Sequence, residues 1–175
     1  EFISKLVNIG HLSVGRHAHA TFEIVCSRAC SLQLIRHPLL SPHQESQRYV
    51  VFNKEGYSIE QEDEFKHERP YIFPASIEKN PIALQWYKDA LNYMETTYHN
   101  MMTENIPKED ARYILPNACV TRLIMTGNFQ AWAEFCCLRT DRAAQWEIRE
   151  IAREIFEILC KKAGAFFEPF RSETD

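Results

Sequence analysis

No run of apolar residues approaches the roughly 18 that a membrane-spanning helix requires, and the first residues do not follow the basic, apolar and small-residue order of a secretion signal. The expectation is a soluble, cytoplasmic protein without a membrane partner. An excess of positive charge is also missing: 20 Lys and Arg face 24 Asp and Glu, for a net charge of -4. A broad surface for a nucleic acid polymer is therefore not signalled, and any phosphate site must be local. Six cysteines make no CxxC pair and fall mostly within apolar segments, so buried free thiols are expected rather than a disulfide framework. Seven histidines include no HExxH and gain no cysteine at finger spacing, so no metal site is expected.

What is present is ordinary globular material: 175 residues, 45% hydrophobic and 25% charged, with no internal repeat and no long linker. That length is expected to form a single domain, 1–175, around one core. The chain opens abruptly on a helical pattern, Phe2, Ile3, Leu6 and Val7, that Gly10 should end, so the N-terminus is expected to be truncated. His17 to Cys26 alternates as a strand, and Ser27 is placed to cap a short helix carrying Cys30 and Leu34. A second pair of strands is expected at Tyr49 to Phe52 and Tyr71 to Phe73, joined by an exposed polar connection.

Pro81 suits the start of a long helix in which Leu84, Tyr87, Leu91, Met94, Tyr98 and Met101 recur at steps of three and four. That stripe reads as core or subunit interface. Pro107 should open a short helix that Pro116 closes; Cys119 to Met125 alternates as a strand until Gly127 and Asn128 break it. Two helices follow, the last amphipathic through Ile148, Ile151, Ile155 and Leu159, with Glu147, Arg149, Glu150, Arg153 and Glu154 mostly on a solvated face and Gly164 past its end. Strands and helices that do not alternate strictly argue for an α+β class, an antiparallel sheet flanked by long helices.

The segment from Arg36 to Tyr49 concentrates two arginines, two histidines, two serines and two glutamines. Arginine forks and hydroxyl donors suit a phosphate monoester, and a glutamine can both donate to and accept from a pyrimidine edge. Composition alone leaves a solvated, salt-bridged surface loop equally open.

Order within the segment adds to this reading. Arg36-His37, then seven residues after position 38, then Ser46, resembles the RHRx7S signature of the flavin-dependent thymidylate synthases, the ThyX family. Gly10-His11-Leu12-Ser13, the helix Ser27 to Gln33, Gln44 to Tyr49, Ala111 to Asn117, Thr126 to Phe129, Leu138-Arg139 and Ala144 to Arg149 resemble further family segments in family order. The resemblance implies reductive methylation of dUMP at C5 to dTMP, with methylenetetrahydrofolate as carbon donor, FAD as hydride carrier and NADPH as its reductant. It implies a homotetramer with sites built at subunit interfaces. Gln33, Arg36, Gln44, Ser46, Gln47, Arg48 and Arg112 correspond to dUMP contacts, Ser46 as a binding group rather than a nucleophile. Arg139 corresponds to the catalytic residue that stabilises negative charge on the uracil ring and also contacts substrate. His11, Ser13, Arg36, His37, Pro38, Gln44, Asn128, Gln130 and Glu134 occupy flavin-contact positions.

The chain departs from the family pattern at four of its positions. Pro38 replaces the second Arg of RHR, Gln130 stands where an Arg follows the Asn, Glu134 where Asn or His is usual, and Arg16 where Glu is usual. Losing two charge-assisted contacts to a pyrophosphate costs about 1.5 to 3 kcal/mol each, and Arg16 or Arg142 is the cation that could compensate. Two other functions fit the same residues: methylation of UMP or another uridylate in modified-nucleoside synthesis, and nucleotide binding without flavin chemistry.

Overall fold

The computed structural model describes residues 2–53 and 70–174. The first helix, α1 (Phe2–Asn8), ends as its sequence predicts: Gly10 takes φ +85°, its N–H bonds the Val7 carbonyl at 2.9 Å, and the His11 N–H reaches back to Leu6 at 2.9 Å. Those two crossed bonds satisfy carbonyls that a helix end otherwise leaves open, and a glycine takes this left-handed conformation without strain. A 3-10 turn (Leu12–His17) leads into β1 (His19–Ser27), which passes directly into α2 (Arg28–Leu34). The first amides of α2 are taken by backbone carbonyls, Arg28 N–H by Cys119 at 2.8 Å and Ala29 N–H by Asn117 at 3.0 Å.

Next comes β2 (Ser41–Gln44), then α3 (Ala75–Glu78), α4 (Pro81–Thr103), α5 (Lys108–Ala111), a 3-10 turn (Arg112–Ile114), β3 (Val120–Asn128), α6 (Phe129–Thr140), α7 (Trp146–Phe167), a 3-10 turn (Glu168–Phe170) and α8 (Arg171–Thr174). The strands form one antiparallel sheet in the order β1-β3-β2, so the class is α+β. Pro42 is tolerated in β2 because an edge strand has one side that needs no donors.

Several expectations are corrected. The segment from Arg36 to Tyr49 is not all loop, since it contains β2. No strand forms over Tyr49 to Phe52: the Tyr49 and Val50 amides both turn back to the Ser46 carbonyl at 3.0 Å, and the Phe52 N–H donates to the Tyr98 hydroxyl at 3.2 Å. Tyr71 makes a single antiparallel bridge to Cys119 rather than a strand. The polar connection expected between them falls largely outside the described residues. β3 runs on through Gly127 and Asn128 before α6 begins, and Gly164 lies inside α7, just beyond a kink at Ala163 (φ -142°, ψ 41°). Glu147, expected on a solvated face, is buried in the first turn of α7.

The chain packs as two compact units. The first comprises residues 1–24, 30–43 and 123–175. Its core is aromatic: Trp132 meets Phe22 edge-on at 5.0 Å and Phe135 at 5.5 Å, its indole N–H donates to the Ala20 carbonyl at 3.0 Å, and Phe129, Phe166 and Phe167 stack against one another. Gly127 is required here, because a Cβ would lie 2.2 Å from the Leu40 side chain. The second unit comprises residues 25–29 and 44–122, with a buried cluster of Phe52, Tyr71, Leu91, Tyr98, Ala111 and Cys119. Its long helix, α4, starts where Pro81 predicts, with the Asn80 side chain accepting from the Ile82 and Ala83 amides at 3.1 and 3.2 Å. Of its expected stripe only Leu91 and Tyr98 are fully buried. No described helix is long and apolar enough to cross a membrane. The cysteines are free, five buried and Cys137 partly so.

Candidate active site

In the first unit, the turn after α2 and the last turn of α6 bring His37 to Arg139. The His37 N–H bonds Leu34 at 3.2 Å, and Leu40 N–H closes back on the His37 carbonyl at 3.1 Å. Pro38 thus occupies the second position of a β-turn, which its fixed φ favours, and it restricts the residue before it. The Arg139 Nε–H donates to His37 Nε2 at 2.9 Å, and the imidazole stands edge-to-face with buried Phe135, centroids 4.8 Å apart. An Nε2 that accepts must carry a lone pair, so the neutral ring holds its proton on Nδ1. Burial first, then the Arg139 charge, pull the His37 pKa from 6.5 to about 4, which keeps that lone pair available near neutrality. Arg139 lies in the last turn of α6, where a cation is favoured by the helix dipole.

The N-terminal end of α6 holds a second group. Asn128 caps the helix, its Oδ1 accepting from the Ala131 amide at 2.9 Å. Two residues further, the Gln130 amide donates to Glu134 at 2.9 Å and its oxygen accepts from Arg16 Nε at 2.8 Å. Three of the four departures from the family pattern are therefore joined in one hydrogen-bonded chain. Gln130 and Glu134 are engaged with each other and with Arg16, while Arg16 keeps both Nη groups of an exposed guanidinium. Gly15 lets the two segments approach: a Cβ there would lie 2.4 Å from the Phe166 ring and 3.1 Å from the Gln130 backbone nitrogen. Arg142 is exposed, with its carbonyl bonded by Arg149 at 3.0 Å. His11, Ser13 and Arg36 are also exposed in this unit, and Gln33 is half-buried on α2.

In the second unit, Gln44 leaves β2 to donate to the Thr121 hydroxyl of β3 at 3.1 Å. Beyond it the Ser46 hydroxyl accepts from the Arg48 amide at 3.3 Å, and half-buried Gln47 lies between them in sequence. Arg48 pairs through Nε with the Glu109 carboxylate at 2.6 Å and lies over the Tyr49 ring at 5.5 Å. Arg112 Nε donates to the Glu109 carbonyl at 3.0 Å. Glu109 thus gathers both arginines, and Lys108 adds a third cation by bonding the Tyr49 carbonyl at 2.9 Å. With the Arg48–Glu109 pair about half exposed, it holds only weakly, about 0 to 1 kcal/mol, and a phosphate can displace it.

The expected substrate contacts divide accordingly: Gln33, Arg36 and Arg139 belong to the first unit, and Gln44, Ser46, Gln47, Arg48 and Arg112 to the second. Sequence reasoning missed Glu109 and Thr121. Neither had a readable signal: the Glu109 carboxylate meets Arg48 from a distant segment while Arg112 takes only its backbone carbonyl, and strand pairing alone brings Thr121 to Gln44. Among the described residues no group of three or more His, Cys, Asp or Glu is arranged to hold a metal ion.

Comparison with known proteins gives a consistent result. The family model described as thymidylate synthase complementing protein matches residues 1–163. Curated flavin-dependent thymidylate synthases are similar over most of the chain. That of Geobacter sulfurreducens is 36% identical over 167 residues, covering 95% of this chain and 67% of the relative. That of Pyrococcus abyssi is 35% identical over 161 residues, covering 91% and 62%, and that of Mycolicibacterium vanbaalenii 30% identical over 185 residues, covering 97% and 68%. The aligned stretch thus spans about two thirds of each relative's own length.

Proposed function

The chain belongs to the thymidylate synthase complementing protein family, and from that premise we propose that it methylates dUMP at C5 to give dTMP, taking its carbon from methylenetetrahydrofolate. FAD, reduced by NADPH, supplies the hydride when bound. The observation that carries the reading is the Arg139–His37 pair, a permanent cation held at a fixed angle by a neutral acceptor.

C5 of uracil is a poor nucleophile, so the protein must draw charge through the ring and hold it there. Arg139 does this: its Nη groups remain free to donate to a uracil oxygen while Nε is held by His37. Arg48 and Arg112 exchange contacts with Glu109 for contacts with the nucleotide phosphate, joined by the Ser46 hydroxyl. Each unit offers its own groups to orient base and ribose, Gln33 and Arg36 in the first, and Gln44, fixed against Thr121, with Gln47 in the second. The Ser46 hydroxyl accepts from the Arg48 amide rather than being held by a general base, and it binds rather than attacks.

The donor set fits a flavin dinucleotide. Arg36 and the Nη groups of Arg16 are exposed cations for a pyrophosphate, Asn128 keeps its amide N–H groups after capping α6, and His11 and Ser13 add polar groups. Pro38 shapes the turn that follows Arg36, and Gln130, held by Glu134, fixes Arg16 in place. The working form is proposed to be a homotetramer.

The test is an FAD titration of the purified protein, followed by flavin absorbance and fluorescence with and without dUMP, together with turnover of dUMP against UMP. Flavin binding that dUMP perturbs, with methylation of dUMP, supports the proposal. Turnover of UMP alone moves the assignment to modified-nucleoside synthesis. A folded protein that binds dUMP and never FAD sinks the methylation reading in favour of nucleotide binding alone.

A further inference from the structure

We infer that His37 is the positioning residue for Arg139, fixing the plane of its guanidinium so that the two Nη groups are presented together as a fork. The inference rests on the role proposed above for Arg139. An arginine side chain is long and rotamer-rich, and a single anchor at Nε removes rotation about the bond that sets the plane of the fork. That anchor is itself immobilised from three directions. The His37 amide bonds Leu34, its carbonyl closes the turn through Pro38 to Leu40, and its ring stands against Phe135. No protein group among the described residues takes the Arg139 Nη donors.

The chemistry of the pair supports positioning over chance contact. A guanidinium only donates, so its partner must accept; an imidazolium cannot, and the burial and neighbouring charge that depress His37 protonation keep the acceptor in place. A carboxylate at position 37 would anchor Arg139 more strongly, yet it would neutralise the charge that the uracil ring has to feel. A neutral ring nitrogen holds the direction of the fork and leaves its charge intact. Pro38 contributes from the backbone, since it narrows the conformations open to His37.

The experiment compares His37→Phe, which keeps a ring against Phe135 without an acceptor, with His37→Gln, whose carbonyl oxygen lies the same number of bonds from Cα as Nε2. His37→Asn, one bond too short, replaces the Phe variant if that ring does not pack. Three quantities are read: kcat and KM for dUMP, FAD affinity by fluorescence titration, and hydrogen exchange of the Arg139 Nε–H, assigned in 15N spectra by its loss in Arg139→Lys. In His37→Phe, kcat should fall by about 10 to 100-fold while KM for dUMP stays within about 3-fold, because misorientation of the fork costs most where charge develops. Nε–H exchange should accelerate by about 10-fold, and His37→Gln should recover both readouts. The inference is overturned if His37→Phe leaves the exchange unchanged, if it loses FAD affinity with exchange unchanged, or if Gln is as impaired as Phe. Should the wild-type protein not turn over dUMP at all, the proposed function fails, and exchange in the free protein alone decides whether His37 holds Arg139.

Discussion

A histidine that must stay neutral to do its work leaves a mark on the stability of the protein. The folded pKa of His37 lies at about 4 against 6.5 for the unconstrained side chain, so between those values the unfolded chain binds a proton that the folded one refuses. Stability therefore rises with pH through this window, is fully present above about 6.5, and is lost progressively as the pH falls through about 4. Urea unfolding at a series of pH values should show this slope, and His37→Gln should flatten it; equal slopes in both proteins would mean that other groups set the acid limit. Glu109 offers a second test at the same scale. Its carboxylate satisfies Arg48 in the free protein but repels an incoming phosphate. Glu109→Gln should tighten dUMP binding by about 3-fold, equivalent to about 0.7 kcal/mol of an exposed ion pair. Calorimetric titration that finds weaker binding would show that Glu109 organises the arginines more than it competes for them.

At the scale of elements, the close approaches are made by glycines. Gly15 lets the turn before β1 lie against Phe166 and α6, and Phe166 is packed between Phe129, Phe167 and Phe170, so its ring cannot yield cheaply. Gly15→Ala should destabilise the fold by about 1 to 3 kcal/mol and, by shifting Arg16 away from Gln130, weaken FAD binding; chemical denaturation and flavin titration check the two effects separately. Elements whose signals are local were legible in the sequence: α1 with its Gly10 terminus, α4 with Asn80 and Pro81, and the alternation of β1 and β3. Elements defined by a distant partner were not. β2 has three exposed residues and one partly buried, plus a proline, and its strand character comes from pairing with β3. Tyr49 to Phe52 has strand-like residues, yet the Tyr98 hydroxyl takes the Phe52 amide from a helix dozens of residues away. The same holds for the site. Its residue types stood out in the order of Arg36 to Tyr49, whereas the partners that fix them, His37 on Arg139, Thr121 on Gln44, Arg16 on Gln130, are long-range contacts that spacing does not encode.

For the whole molecule, the proposed homotetramer turns on what covers α4. Leu91 and Tyr98 bury one side of this helix, while Ile82, Trp86 and Tyr93 are 64%, 70% and 71% exposed. At about 100° per residue those three side chains fall within about 40° of arc, opposite the buried pair. Three large apolar groups on one face, in a helix whose other face already serves the core, gain about 1.5 to 3 kcal/mol each if a second copy covers them. The charge of Trp86→Glu would sit in the middle of that contact, where an unpaired carboxylate is costly to bury. Sedimentation at micromolar concentration should find the wild-type protein as a tetramer and Trp86→Glu as a smaller species with an unchanged far-ultraviolet spectrum. If the wild type sediments as a monomer, the tetramer is wrong, and any site must then be completed within one chain. If it is a tetramer that Trp86→Glu leaves whole, assembly runs through another surface, and the exposed face of α4 loses its claim as the interface.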